Sequence, residues 1–272
     1  VDGGMWKKES PLTKILFPLV NSLDRQFIVQ ADSIVVLTER IAAILRNDFS
    51  GSKHALDITT IPCCVDLNVF TPVQVSAVAS IEEHHTFTLV YTGSLGTWYM
   101  LEEMADFFKT LIKDIPKAHF LILTMTDHSF AKKIMDQKNV PIDSYTITGI
   151  PHKEVPETLR TCQASLMFIK PVFSKIASSP TKFAENLACG LPVVMNRGIG
   201  DTERIIVDEK VGVIIDAFTT EAYAQATAEL RLLLHEGERL RQRCRATAEK
   251  YFSLEYGVSR YNSIYQKLLK RT

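Results

Sequence analysis

The sequence predicts a doubly wound α/β fold on a parallel sheet, and three observations carry that expectation. From residue 86 onward, short runs rich in Val, Ile, Leu and Phe alternate with segments whose apolar residues recur at helical spacing. The short runs show little polar alternation, as expected of strands buried on both faces. Each strand is followed by a helix, the rhythm of a parallel sheet covered on both sides.

Taken in order, a helix is predicted over Pro11–Gln30, with Leu12, Ile15, Leu16, Leu19, Leu23 and Phe27 on one side. Pro18 should kink it or delay its start. "SIVVL" (33–37) reads as a strand, Thr38 as a helix cap and "ITTI" (58–61) as a second strand. Residues 73–86 carry no clean period and read as a linker. "FTLVY" (87–91) opens the larger unit, before a helix with Leu101, Met104, Ala105, Phe108, Leu111 and Ile112 at helical spacing. "HFLILT" (119–124) precedes a helix from Asp127 to about Gln137, and "YTITG" (145–149) precedes one marked by Val155, Leu159 and Cys162. "ASLMFI" (164–169), "PVVM" (192–195) and "VGVII" (211–215) complete the strands, with a short helix near 201–207 between the last two. Three helices follow, at about 219–235, 236–250 and 254–270. The domains expected are 1–72, an incomplete N-terminal α/β piece; 87–253, the main domain; and 254–272, a C-terminal helix.

Bulk properties exclude several classes. Lys plus Arg and Asp plus Glu both number 31 in 272 residues, so the basic excess that usually grips nucleic acid is missing. Nothing reaches the roughly 18 continuous apolar residues of a spanning helix. The five cysteines form neither a CxxC motif nor an even disulfide set, which predicts a reducing, cytoplasmic compartment. The seven histidines are scattered, and no metal site is expected. "MWKKESPLTKILFPLV" (5–20) reads first as a helix packed on the N-terminal sheet and second as a membrane-surface segment.

In an open parallel sheet, ligands gather beyond the carboxyl ends of the strands, where helix N-termini favour anions. Two strand-to-helix turns stand out. In "TGSLGTWY" (92–99), Gly93 and Gly96 allow close backbone approach, and Ser94 and Thr97 can donate hydrogen bonds. A purely structural turn would read the same way. In "SPTKFAENLACGLPVV" (179–194), Ser179 is a natural N-cap and Pro180 suits the first helical position. Thr181 and Lys182 would then meet a phosphate, and Glu185, one turn on, could accept a ribose hydroxyl pair. The alternative is an amphipathic helix with a solvated Lys–Glu pair, ended by Gly190.

With both turns in view, the chain resembles the retaining nucleotide-sugar glycosyltransferases of the two-domain GT-B fold, family 4, whose donor domain is Rossmann-like. "ADSIVVLTERIAAIL", "ITTIPCCVDLNVFTP", "LVYTGSLGTWYMLEEM" and "SSPTKFAENLACGLPVVM" carry the resemblance, in order along the chain. It implies that Gly93, Ser94 and Gly96 border a diphosphate, and that Ser179, Pro180, Thr181 and Lys182 form its helix-start site, with Lys182 the catalytic cation. Glu185 would hold the ribose, and Gly149 and Ile150 would clasp the base. It further implies a UDP- or GDP-linked sugar donor without metal or other cofactor, and a saccharide or lipid-linked acceptor. Two departures stand beside it. Ala177 occupies the position where many members carry a sugar-contacting glutamate, and the first turn lacks the usual basic pair, which leaves Lys182, with Arg197 or Lys170, to carry the phosphate charge.

Two other readings stay open: a split donor-binding subunit served by a separate acceptor domain, and a nucleotide-sugar epimerase. A nicotinamide oxidoreductase would need GxGxxG, which "GSLGTWY" does not supply. Beginning at Val1 with few N-terminal strands, the chain is expected to bind donor through residues 86–250 and to transfer sugar poorly by itself.

Overall fold

The computed structural model describes residues 11–52, 55–72 and 87–270. The 73–86 stretch read as a linker, and Trp6, Lys7 and Lys8 of the membrane-surface reading, lie outside these residues.

The N-terminal piece consists of α1 (Pro11–Gln30), β1 (Ile34–Val36), α2 (Glu39–Asp48) and β2 (Ile58–Thr60). β1 and β2 form a parallel two-stranded sheet with Ile34 opposite Ile58. Thr38 caps α2 as expected, its hydroxyl accepting from Ile41 N–H at 3.2 Å. α1 runs unbroken through Pro18. The described part of its stripe does not pack on the sheet: Leu19 and Phe27 are 57 % and 66 % exposed, and Leu16 and Leu23 are exposed as well, while the side chains of Leu12 and Ile15 lie outside the description. The correction has a simple cause, because a two-stranded sheet offers too little apolar face to cover a twenty-residue helix.

The larger unit comprises β3 (Thr88–Thr92), α3 (Leu101–Asp114), β4 (His119–Leu123), α4 (His128–Gln137), β5 (Tyr145–Thr148), α5 (Val155–Arg160), β6 (Ala164–Met167), α6 (Thr181–Ala188), β7 (Val193–Asn196), α7 (Thr202–Glu209), β8 (Gly212–Ile215), α8 (Thr220–Leu234), α9 (Glu238–Phe252) and α10 (Leu254–Leu269). Its six strands are all parallel, in the order β5-β4-β3-β6-β7-β8. Winding runs outward from β3 to β5, then restarts at β6 on the other side of β3. The connections leaving the carboxyl ends of neighbouring β3 and β6 therefore run to opposite sides and leave a crevice between them.

Apolar layers cover both faces. On one, Phe107 and Phe168 meet edge-on at 5.9 Å, and Phe107 meets Tyr223 at 5.8 Å. On the other, Phe183 of α6 meets Phe252 of α9 at 5.7 Å. Arg245 of α9 straps the incoming chain, donating to the carbonyls of Phe70 (2.6 Å) and Leu67 (3.0 Å). The N-terminal piece is tied on by polar contacts. Asp201 accepts from the N–H groups of Glu39 (2.7 Å) and Arg40 (3.2 Å), supplementing the Thr38 cap, and Lys267 of α10 pairs with Asp57 at 2.7 Å.

Candidate functional site

The crevice at the switch point holds a cleft of about 590 Å³, within the usual range of small-ligand sites. Four strand ends or helix starts contribute to it, each brought in by the parallel topology. β3 supplies Thr92, then Gly93 and Ser94; β4 supplies Leu123 and then Thr124–Thr126; the loop after β5 supplies Ile150 and His152; α6 supplies Thr181, Lys182 and Glu185.

Gly93 is glycine for a visible reason. Its φ is +125°, and a Cβ there would collide with Lys182 Nζ and lie 2.9 Å from Lys182 Cε. The absence of a side chain on the first turn is thus what admits the lysine of α6. Tyr91 OH donates to Ser94 O at 2.5 Å, and Leu95 N–H donates to Thr126 Oγ1 at 2.9 Å, pinning the turn to β4.

Lys182 Nζ sits 3.7 Å from the Tyr99 ring centroid and 4.9 Å from that of Tyr91, and donates to Tyr91 OH at 3.4 Å. Burial pushes its pKa down to about 7, and nearby Glu185 opposes that shift only in part. The ammonium therefore has aromatic faces and a phenol for company but no carboxylate in contact. An incoming anion would complete it.

α6 begins at Thr181, with Pro180 in extended conformation (ψ 119°) as the cap residue and no side-chain cap bond. The expected Ser179 cap is therefore corrected. Ser179 Oγ is taken by Cys63 N–H, at 3.2 Å, a contact between segments 116 residues apart. Phe183 N–H turns back to Pro180 O (3.0 Å), whereas among the described residues nothing accepts from the N–H groups of Thr181 and Lys182, which stand at the positively polarised end of the helix.

Glu185 is one turn further, with its side chain 13 % exposed, and His152 Nε2 lies 3.3 Å from its Oε1. The His152 ring packs edge-on to Phe70 at 5.8 Å. The structure thus gathers Gly93, Ser94, Ile150, Thr181, Lys182 and Glu185 into one cleft. Gly96 (φ +88°) shapes the turn behind it, accepting from Tyr99 N–H at 2.9 Å. Gly149 lies just outside, where a Cβ would stand 3.2 Å from Thr124 O. Ser179 and Pro180 face a neighbouring cavity. Arg197 is engaged by Asp216 and Glu203, and Lys170 is exposed; neither lines the cleft. Among the described residues, no group of three or more His, Cys, Asp and Glu side chains is placed to hold a metal ion.

Sequence reasoning missed Tyr99, His152, Thr92 at the end of β3, and Thr124 and Thr126 after β4. His152 had one usable signal, its place three residues after the glycine that ends a strand run.

A six-stranded parallel sheet with a cleft at its switch point defines an α/β domain of the kind found in GT-B glycosyltransferases. The chain belongs to the Glycosyl transferases group 1 family, whose model matches residues 78–251. Among curated proteins, none matched the sequence. Among solved structures, the chain is similar to sucrose-phosphate synthase from Thermosynechococcus elongatus (TM-score 0.70, 19 % identity, covering 92 % of this chain and 62 % of that one). It is also similar to the pneumococcal O-GlcNAc transferase GtfA, solved with UDP and GlcNAc (0.66, 18 %, 92 % and 48 %). A glycosyltransferase from Rickettsia africae is a third (0.70, 14 %, 93 % and 68 %). The chain thus spans between about half and two thirds of the length of these relatives.

Proposed function

We propose that the cleft binds a nucleoside diphosphate sugar, UDP- or GDP-linked, and that the protein transfers the sugar to a saccharide or lipid-linked acceptor. Family membership supports glycosyl transfer over the epimerase alternative. The observation that carries the donor reading is Lys182, at the start of α6 with no carboxylate in contact among the described residues and lodged against the side-chain-free face of Gly93.

In this reading the diphosphate lies between Gly93 and the N–H groups of Thr181 and Lys182. Glu185, oriented by His152, accepts two ribose hydroxyls, and Gly149 and Ile150 border the base. As the bond between the sugar's anomeric carbon and the diphosphate breaks, charge grows on the departing phosphate. A cation and helix-end N–H groups already aimed there stabilise it, and the step is proposed to need no metal. The new bond forms to an acceptor hydroxyl, whose proton is released, with retention of configuration as the resemblance implies.

A second reading, a donor-binding subunit that works beside a separate acceptor-side chain, is favoured by the exposed apolar residues of α1. Calorimetry of the full chain with UDP and with GDP, with and without a chelator, tests the donor reading. Binding of at least one nucleotide in chelator is expected; no binding of either, or binding lost on chelation, defeats it.

A further inference from the structure

Beside the cleft is a second cavity of about 300 Å³, and Tyr99 and Thr181 line both. Trp98, Tyr99, Lys175, Ala177 and Ser178 are among the residues that line it. Lys175 rises from the single-turn 3-10 helix Phe173–Ala177, and its Nζ stands 4.0 Å from the Trp98 ring centroid. Burial lowers its pKa, and no carboxylate opposes that shift. Among the described residues, no acidic side chain lines the cavity. Lys175 is thus a cation partly withdrawn from water with a ring face as its partner, an arrangement left incomplete until an anion arrives.

The residues that the two cavities share indicate which anion. Tyr99 and Thr181 line both, Gly93, Lys182 and Glu185 line only the first, and Trp98 and Lys175 line only the second. A ligand with ribose on Glu185 and diphosphate on Lys182 carries its next group past Thr181 into the second cavity. That next group is the sugar to be transferred. Trp98 and Tyr99 offer it flat apolar faces, and Ser178 and Thr181 offer hydroxyls. Ala177 contributes only a methyl, so the charge presented to the sugar is positive.

We propose that Lys175 makes this cavity, where the reading above puts the transferred sugar, selective for a sugar bearing a carboxylate, so that the donor is a nucleoside diphosphate uronate. The proposal rests on the donor reading above, and the experiment separates the two. Affinities of the full chain are measured for UDP, UDP-glucose and UDP-glucuronate, and for GDP, GDP-mannose and GDP-mannuronate, in the wild type, Lys175→Gln and Lys175→Arg. For the base that binds, the uronate should bind about tenfold more tightly than the neutral sugar, as expected of one charge-assisted hydrogen bond. Lys175→Gln should bring that ratio to about one, and Lys175→Arg should keep it. The wild-type ratio requires no variant to fold, so a ratio near one overturns the proposal directly. A ratio insensitive to Lys175→Gln also overturns it. So does an equal loss of bare nucleotide and uronate in that variant, which would put Lys175 on the phosphate. If neither bare nucleotide binds the wild type, the donor reading fails and this inference with it.

Discussion

Lys182 should make nucleotide binding fall with rising pH in a window well below that of an exposed lysine. Its pKa in the free protein is about 7 because burial against Tyr91 and Tyr99 penalises the charged form more than Glu185 favours it. A diphosphate binds the ammonium, so binding above pH 7 must first take up a proton. Between pH 7.5 and 9 the protonated fraction falls roughly 25-fold, about 1.9 kcal/mol at 1.36 kcal/mol per unit. Affinity for the nucleoside diphosphate should therefore fall about that much over this range, while the ligand's own last ionisation, near pH 6 for a phosphate monoester, is already complete. The sign for stability follows separately. Folding lowers this lysine's pKa, so the unfolded chain holds more protons between about pH 7 and its ordinary value near 10.4, and this group makes stability rise with pH across that window. Calorimetry in buffers of different ionisation enthalpy counts the protons; uptake approaching one per site is expected at pH 8.5. Lys182→Arg, always charged, should flatten the profile even where it binds weakly. An affinity that varies less than twofold between pH 7.5 and 9, with no proton uptake, would refute the reasoning.

Three further outcomes are expected. Gly93→Ala places a methyl on Lys182 at a φ that favours glycine, so it should weaken diphosphate binding at least about tenfold and cost about 1–3 kcal/mol of stability, read by titration and thermal melting. Lys182→Ala should weaken UDP or GDP more than the free nucleoside, whereas Glu185→Ala should weaken both by about 1.5–3 kcal/mol; equal effects of Lys182→Ala on nucleoside and diphosphate would reverse the assigned roles. Asp201→Ala removes the acceptor for two α2 N–H groups and should cost about 1 kcal/mol, with faster amide exchange confined to the start of α2.

Much of this protein was legible in the order of its residues, because the signals involved are local. Apolar runs marked most of the sheet, and the central β6 and β7 carry them most fully, since a strand buried on both faces admits few polar residues. Gly93 and Lys182 were legible as a strand-end turn and a helix start, and parallel topology places every such turn at the same edge of the sheet. Ser179 shows where local reasoning ends. Its propensity makes it a cap, but Cys63 N–H arrives from a distant segment and takes its hydroxyl, and the helix opens at Thr181 instead. The stripe on α1 predicted a packed face, yet what a stripe packs on depends on how many strands stand beneath it. The pairing of His152 with Glu185, and of Lys175 with Trp98, carries no mark in sequence spacing, because these residues meet only once the strand order reverses between β3 and β6. The sequence by itself determined which segments become strands and helices and which turns can meet an anion. Tertiary structure alone decided which side chains share the crevice, how far Lys182 is withdrawn from water, and hence how readily it holds its proton.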